Sequence, residues 1–359
     1  MTPPAGVRRL PITAPPVTGE SLRSLIEKAA NTHRVPAAAI LAAAGIKPAG
    51  TVNRALVRLD NNAGPHALGL SALLGLTAAT VDTLTLNGTQ DPTVVGWAKH
   101  RAIHLGWGTG PSGRHCPRCL AENGGRWLLT WLSPWTLVCT RHSVFLTHRC
   151  TACAQEARGT DASTGQTSPS GTRCATCTAD LTAAPAHQAP VASYAYLGQA
   201  YVNTLRRRDP TDTVKTPDGG QSLVTDQFQD LRLLARHVHA LARPGDYDLT
   251  GSEATSWRAW TAHRDRPSTL TTGPAAIMYG PRNAKSQTET TSYAAAVGIA
   301  ATVLTASDMS AAGRLLSPVL YGQFSDRGRS ASYKRHSIKY AWTTEDAAQW
   351  LLDAVEVPV

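Results

Sequence analysis

The sequence lacks the apolar segments that would place the protein in a membrane or export it from the cell. Its longest apolar run, AAAILAAAG at residues 37–45, is far shorter than the roughly 20 residues with which a helix crosses a bilayer. The first twenty residues are rich in proline and contain no apolar core of the length that a secretory signal needs. We therefore expect a cytoplasmic protein with no membrane partner, in a compartment where closely spaced cysteines usually bind metal instead of forming disulfides.

Sequence motifs for catalysis are also missing. The stretch GTGPSGRH at residues 108–115 resembles a phosphate-binding loop, but it lacks the Lys-Ser/Thr end of that motif. The chain contains no HExxH sequence of the kind that zinc proteases use. The carboxylates of a nuclease can lie far apart in a chain, so the sequence does not test for that activity. We expect a protein that is not an enzyme.

Cysteine is scarce and odd in number, and this makes its arrangement informative. The chain has 7 cysteines, and one histidine completes their pattern through the CxxH sequence that ends at His142. With that histidine there are four pairs, each with two intervening residues, and a turn of this length can point both side chains at one ion. Zinc takes four sulfur or nitrogen ligands in a closed tetrahedron, so the eight residues predict two structural Zn²⁺ ions. The predicted ligands are Cys116, Cys119, Cys139, His142, Cys150, Cys153, Cys174 and Cys177.

The cysteines allow two other interpretations. A thioredoxin-like redox pair needs one CxxC, whereas here four pairs follow one another within about sixty residues. The order CC, CH, CC, CC is also that of a cross-braced RING finger, in which alternate pairs share an ion. The gap at residues 143–149 favours sequential sites, the first formed by residues 116, 119, 139 and 142 and the second by residues 150, 153, 174 and 177. The nearby His104, His115 and His148 lack the pair spacing, so we expect them to be solvated or to face phosphate.

The inserts between the pairs differ in character. Trp127, Trp131 and Trp135 lie in the apolar stretch RWLLTWLSPWTLV, and we expect them to form core over the first metal instead of stacking on bases. The insert at residues 154–173 is small and polar, which is typical of a flexible loop that the second zinc closes.

With these residues in view, the chain resembles the TniQ/TnsD family of transposon target-selection proteins. The resemblance rests on RHCPRCLAENGGRWLLTWLSPWTLVCTRHSVFLTHRCTAC and on LPITAPPVTGESLRSLIEKAA, a proline-bearing lead into a Glu-Ser-Leu helix start. It covers about residues 10 to 185. It implies an adaptor that recognises a DNA site, or a complex bound to one, and recruits an AAA+ ATPase regulator that directs a separate transposase. We also expect that the protein associates with further copies of itself.

Hydrophobic periodicity predicts a mainly helical protein. Helices are expected at residues 22–30 and at residues 36–44, where Pro36 lies in the first turn. Two more are expected within residues 70–86, on either side of a break at Gly75-Leu76. Short helices joined by tight turns are typical of a helix-turn-helix, whose second helix could enter a major groove, although helical bundles without DNA share the pattern. In the second half, helices are predicted at residues 192–208, 221–245, 292–306 and 308–317, with an irregular stretch at 246–290 and a last helix after Thr343. The helix at 192–208 is expected to bury Tyr194, Leu197, Tyr201 and Leu205.

Positive charge favours a polyanionic partner. The net charge is +10, and residues 1–190 carry 17 Lys/Arg against 9 Asp/Glu, whereas the remainder is nearly balanced. The segment SDRGRSASYKRHSIKYAW combines cations with aromatic and small residues, a composition that suits phosphate contact and also suits a solvated loop. We predict double-stranded DNA as a partner, and hence nucleoid association. The candidate contacts in this segment are Arg327, Arg329, Lys334, Arg335, His336 and Lys339.

The predicted organisation has three domains. Residues 1–100 are expected to form a helical, helix-turn-helix domain, residues 101–188 a tandem zinc-binding domain with small ribbon-like elements, and residues 189–359 a helical domain with the basic segment. Two other functions fit the same features: a zinc-containing transcriptional regulator and a RING-like zinc adaptor.

Overall fold

A computed structural model describes residues 6–48, 50–89, 114–133, 135–158, 171–264 and 287–321. The described chain is mainly helical, as predicted. Its α-helices are α1 (Leu22–His33), α2 (Ala37–Ala43), α3 (Val52–Asn61), α4 (Ala67–Leu74), α5 (Ala78–Thr83), α6 (Pro117–Glu122), α7 (Tyr194–Arg206), α8 (Val224–Leu241), α9 (Gly251–Arg264), α10 (Gln287–Leu304) and α11 (Met309–Tyr321).

Strands are few and short in these residues. Two antiparallel hairpins are present, in which Val138 lies opposite Phe145 and Thr213 lies opposite Leu223. Their strands are β1 (Val138–Cys139), β2 (Val144–Phe145), β3 (Thr213–Lys215) and β4 (Gln221–Leu223). Short 3₁₀ turns occupy Gly64–His66, Asn87–Thr89, Leu129–Leu132 and Leu181–Ala183.

The described residues form two compact units. The first contains the described parts of residues 6–89, 114–136 and 146–186, and the second contains those of residues 137–145 and 187–321. The domain boundary predicted after residue 100 lies outside the described residues, and the three-domain division stays a prediction.

In the first unit, local signals set the ends of the predicted helices. The Ser21 hydroxyl accepts a hydrogen bond from the Ser24 N–H and caps α1, while Pro36 immediately precedes α2. Gly75 ends α4 with φ +68°, and the Thr77 hydroxyl caps α5 by accepting from the Thr80 N–H. These helices and the break between α4 and α5 confirm the sequence prediction. The helix-turn-helix interpretation stays a prediction.

Helix α3 was not predicted from the sequence. It begins after Thr51, whose hydroxyl accepts from the Arg54 N–H, and it buries Leu56 and Leu59. These two leucines join one apolar core that is built from α1 to α5 and includes fully buried side chains such as Leu22 and Leu70. The helices of the N-terminal region therefore share a single hydrophobic core.

In the second unit, α7 buries a different face from the one predicted. Leu205 is buried as expected, but Leu197 is 47% exposed, which makes that part of the prediction wrong. The buried face instead carries small and polar residues, Gly198 and Gln199 among them, because α7 packs closely against α10. A Cβ atom on Gly298 of α10 would lie 1.8 Å from the Tyr194 carbonyl oxygen, so only glycine permits this approach.

The remaining helices confirm the prediction in part. Helix α8 buries the predicted face of Val224, Phe228, Leu231, Ala235 and Val238. Helices α10 and α11 lie where two helices were expected. Helix α9 and the first residues of α10 lie in the stretch 246–290 that was expected to be irregular, so that expectation was wrong for residues 251–264 and 287–290.

Two C-terminal predictions lie outside the described residues, namely the helix after Thr343 and the basic segment with its six candidate DNA contacts. Among the described helices, none combines the length and the apolar character needed to cross a membrane.

Candidate metal centres

The first candidate centre brings together three thiols and an imidazole. The ligand atoms of Cys116, Cys119, Cys139 and His142 all lie within 4.8 Å of one another. Cys116 is the residue before α6, Cys119 lies in the first turn of that helix, Cys139 ends β1, and His142 follows in the turn to β2. Pro117 at the first position of α6 starts the helix immediately after Cys116 and so holds the two cysteines one turn apart.

The interatomic spacing in this centre fits a tetrahedral ion. With Zn–S near 2.3 Å and Zn–N near 2.0 Å, two ligand atoms of a tetrahedron stand roughly 3.5 Å apart. The Cys139 Sγ and the His142 Nδ1 are separated by 3.5 Å. The donor set of three sulfurs and one imidazole nitrogen is also one that zinc prefers.

The second candidate centre consists of four thiols. Its sulfur atoms, from Cys150, Cys153, Cys174 and Cys177, also lie within 4.8 Å of one another. The Cys150 Sγ is 3.6 Å from the Cys177 Sγ, and the Cys153 Sγ is 3.7 Å from the Cys174 Sγ. Four thiolates at about 2.3 Å from a tetrahedral ion would stand roughly 3.8 Å apart, so this group also has the spacing of a zinc site.

The structure groups consecutive pairs of ligands, not alternate pairs. This is the sequential arrangement that the gap at residues 143–149 favoured, and it differs from the cross-braced order of a RING finger. In both groups four protein ligands complete a tetrahedron, so neither would leave a coordination position for a reacting water.

Three of the four ligand turns share one backbone feature. The residue after the second ligand adopts the left-handed conformation, which L-residues other than glycine seldom occupy. These residues are Ser143 with φ 51°, Ala154 with φ 56° and Thr178 with φ 60°. The left-handed residue turns the chain back, which lets the N–H groups of Ala154 and Thr178 donate to the carbonyls of the first cysteines of their turns, Cys150 and Cys174.

The two turns of the second centre are near copies of each other. In each, the arginine before the first cysteine donates from its Nη1 to the carbonyl of the left-handed residue: Arg149 to Ala154 at 2.7 Å and Arg173 to Thr178 at 3.0 Å. The same arginines form isolated antiparallel bridges, Arg149 with Glu156 and Arg173 with Asp180. The repeat is visible in the sequence as RCTACAQE at 149–156 and RCATCTAD at 173–180, but the sequence reasoning missed it.

The thiols of the second centre differ in their surroundings. Cys174 is fully buried, and burial raises its pKa. Cys177 is exposed, and a hydrogen bond from the Ala179 backbone N–H lowers its pKa to about 7. Cys177 is therefore the thiol that more readily supplies a thiolate near neutral pH, which is the form that binds metal.

Trp127 is a packing centre of the first unit. Its ring lies 5.1 Å from that of His115, 5.7 Å from that of Trp131, and under the Arg158 guanidinium at 5.0 Å. Its indole N–H donates to the Gly171 carbonyl at 2.8 Å. All three tryptophans of this insert are at most 4% exposed, which confirms that they form core.

Two stretches that suggested the family resemblance lie against each other. Glu20 is fully buried, and its carboxylate pairs with Arg126 and accepts a hydrogen bond from the Ser24 hydroxyl at 2.8 Å. The Ser21 N–H donates to the Trp127 carbonyl at 2.9 Å. The Glu-Ser-Leu helix start therefore docks on the Arg-Trp sequence between the first two ligand pairs, which gives both motifs a structural reason.

These observations agree with the result of comparison with known families. Residues 11–146 match the TniQ family. The match confirms the resemblance seen in the sequence. The matched residues include the docked motifs and the complete first centre. Comparisons with curated proteins and with solved structures gave no match.

The second centre and helices α7 to α11 lie beyond the residues matched to TniQ. Even so, Arg158, which follows the first turn of the second centre, forms an ion pair of 2.9 Å with Glu27 of α1, which lies within the matched residues. The Arg23 guanidinium pairs with the same carboxylate at 2.6 Å, and the Arg23 backbone N–H donates to the Asp60 carboxylate at 2.8 Å. Burial by itself raises the pKa of Glu27, but the guanidinium groups of Arg158 and Arg23 lower it, and the net pKa lies below its usual value.

Two expectations for histidines that lie close to the ligands in the sequence were wrong. His115 is fully buried and His148 is 4% exposed, so neither is solvated or free to face phosphate. Burial, with the charges of Arg114 and Arg149, lowers the pKa of His148 to about 4 and keeps it neutral. His104 lies outside the described residues. The sequence could not show this burial because the partners come from other segments: the His115 backbone, for example, pairs in both directions with Thr147.

The insert at residues 154–173 is not exposed throughout. Ala157 and Arg158 near its start are buried, which corrects the prediction of a flexible loop for those residues. Residues 159–170 lie outside the described residues. The same is true of Arg327, Arg329, Lys334, Arg335, His336 and Lys339, so their role in DNA binding stays a prediction.

Proposed function

We propose that this chain is a DNA-binding target-selection adaptor for a bacterial transposon. It recognises a target site, or a complex bound to that site, in the cytoplasm at the nucleoid. It then recruits an AAA+ ATPase regulator and, through it, a transposase. The observation that carries this proposal is the TniQ match over residues 11–146, because the family implies target selection in transposition.

The metal centres support an adaptor in preference to an enzyme. We propose that each binds one Zn²⁺, held by Cys116, Cys119, Cys139 and His142 in the first and by Cys150, Cys153, Cys174 and Cys177 in the second. Each set of four protein ligands closes the coordination shell, so bound zinc would stabilise the fold and would not activate water. Recruitment would then depend on surfaces that the zinc-bound fold presents, and the chemistry of DNA transfer would belong to the partners.

The proposal is tested by isolating partners and DNA together. The tagged chain is recovered from cells that carry the complete gene cluster, and the bound proteins and DNA ends are identified. The matched control is the untagged chain from the same cells. We expect an AAA+ ATPase and a defined DNA segment to be enriched with the tag. Recovery of neither would overturn the transposition function.

A further inference from the structure

In the N-terminal helices the acidic side chains are buried, whereas most of the basic side chains are at least partly exposed. Residues 21–76 contain only two acidic side chains, Glu27 and Asp60, and both are buried. Arg23 is buried with them, and it pairs with Glu27. The other cations of this stretch lie at least partly exposed: Lys28, Arg34, Lys47, Arg54 and Arg58. The surface that α1 to α4 present to solvent is therefore positive, with no exposed carboxylate to neutralise it.

The positive charge is concentrated around α3. Arg54 and Arg58 are exposed on one face of the helix, four residues and about 6 Å of helix rise apart. Like charges at this spacing destabilise a helix by about 0.2–0.5 kcal/mol, a cost that an anion bound between them would remove. Arg58 also lines an open cavity of about 380 Å³, together with Lys47 and His66. Two cationic side chains and an imidazole that can donate a hydrogen bond thus converge on one concave surface.

Helices α4 and α5, which flank the break at Gly75-Leu76, lack such a surface. Helix α5 has six residues with the sequence AATVDT, and its one charged residue is the exposed Asp82. A helix that approaches DNA with a carboxylate and no cation would be repelled by phosphates. Of the helices α1 to α5, α3 is the one with two exposed arginines.

We propose that Lys47, Arg54, Arg58 and His66 form a phosphate-binding surface, here called the α3 surface, that contacts the backbone of double-stranded DNA. The inference rests on the proposed function and assigns its DNA contact to particular residues. An acidic protein would be the competing occupant, but protein interfaces are anchored by buried apolar and aromatic side chains. The large hydrophobic side chains that are exposed in the described residues are Ile12, Val191, Leu197 and Leu223, and none belongs to the α3 surface.

The test measures binding of the full, zinc-loaded chain to a fluorescein-labelled DNA duplex of mixed sequence. Binding is followed by fluorescence anisotropy from about 50 to 200 mM salt, because each phosphate contact contributes about 0.9 to the slope of log affinity against log salt. The variant Arg54→Gln/Arg58→Gln removes two charges and keeps side chains that favour a helix. The matched control is Arg258→Gln, which removes an exposed charge from α9.

We expect the double variant to lower the salt slope by nearly 2 and to bind the duplex at least about tenfold more weakly at the lowest salt. Arg258→Gln should leave both quantities unchanged. Circular dichroism and the melting temperature show whether the variants are folded. If the double variant in α3 does not fold, the single variant Lys47→Gln replaces it as the test, because Lys47 lies outside any helix; it should lower the salt slope by about 1.

Each other outcome overturns the inference in a recognisable way. If the unaltered chain binds the duplex and the double variant keeps its slope, the α3 surface is not the DNA contact, while the proposed function stands. If the variant keeps DNA binding but loses the ATPase partner, the surface binds protein. If the unaltered chain shows no salt-dependent binding to any duplex, the inference and the DNA-recognition part of the proposed function fail together.

Discussion

Replacing Thr178 with glycine should tighten metal binding at the second centre. Thr178 has φ 60°, and its side chain is β-branched, the type least suited to the left-handed region. Holding an L-residue there costs about 1–2 kcal/mol, which glycine does not incur. Glycine loses about 0.5–1 kcal/mol more chain entropy when the turn becomes ordered. The balance favours glycine by about 0.5–1 kcal/mol, which corresponds to roughly two- to fivefold tighter binding.

Within the part of the chain that the structure describes, no hydrogen bond of the Thr178 hydroxyl opposes this gain. The residue is exposed, and both of its hydrogen bonds in the turn use the backbone: its N–H donates to the Cys174 carbonyl at 3.0 Å, and its carbonyl accepts from Arg173. Glycine retains both groups. The strain matters for affinity because the metal-free turn can relax, whereas the metal-bound turn has to keep the left-handed residue.

The chain offers a matched control within the same turn. Thr176 is also an exposed threonine, but it is not among the described residues with positive φ. Thr176→Gly adds chain entropy without relieving strain, so it should weaken metal binding by roughly two- to fivefold. A competition titration of the full chain with a chromophoric chelator measures both variants. If the two substitutions shift the affinity in the same direction, the left-handed residue is not a source of strain in the turn.

Three further predictions follow from the packing and the ligand grouping. Gly298→Ala should lower the melting temperature by an amount equivalent to about 1–3 kcal/mol, because the alanine Cβ would lie 1.8 Å from the Tyr194 carbonyl oxygen and clash with it. Alanine favours helices more than glycine does, so a rise in melting temperature would show that α7 and α10 can move apart at little cost. Cys150→Ser should remove one metal equivalent in elemental analysis and leave the first centre loaded, whereas loss of both would indicate shared ligands. Glu27→Gln leaves Arg158 without its partner and should destabilise the fold by about 3–5 kcal/mol. Because the folded-state pKa of Glu27 is below 4.5, its contribution is present above pH 4.5 and is lost as the pH falls through the folded value. The gap in melting temperature between Glu27→Gln and the unaltered chain should therefore close on acidification, and a gap that persists would contradict the assignment.

The parts of the fold that sequence reasoning predicted depend on local chemistry. A ligand pair with two intervening residues needs only its own turn, so the spacing sufficed to predict the grouping into two sets of four. Helix ends at Pro36 and Thr77 were predictable because a proline or a capping hydroxyl acts within one turn. These ligand turns and helix caps depend on residues within one turn of the chain, so they form largely independently of the rest of the fold.

The parts that it missed depend on partners far away in the chain. Helix α3 buries Asp60, which looks like a surface residue until the Arg23 N–H, 37 residues earlier, supplies its hydrogen bond. Helix α9 buries Glu253, whose carboxylate accepts from the Ala195 N–H at 2.6 Å, 58 residues away. A buried polar residue disrupts the apolar period by which helices are recognised, and only the folded chain shows what satisfies it.

Another long-range contact, the ion pair between Arg158 and Glu27, links the second centre to the helices that carry the proposed DNA contact. Arg158 follows the first turn of the second centre, so an ion bound at that centre would help to hold Arg158 in place for its ion pair with Glu27. Without Arg158, the buried carboxylate of Glu27 would keep one of its two ion pairs, and an undercompensated buried charge is costly. Glu27 belongs to α1, which shares its apolar core with α3, the helix that carries Arg54 and Arg58. With an ion bound, the second centre, although it lies outside the residues matched to TniQ, would therefore support the helices on which the proposed recognition depends.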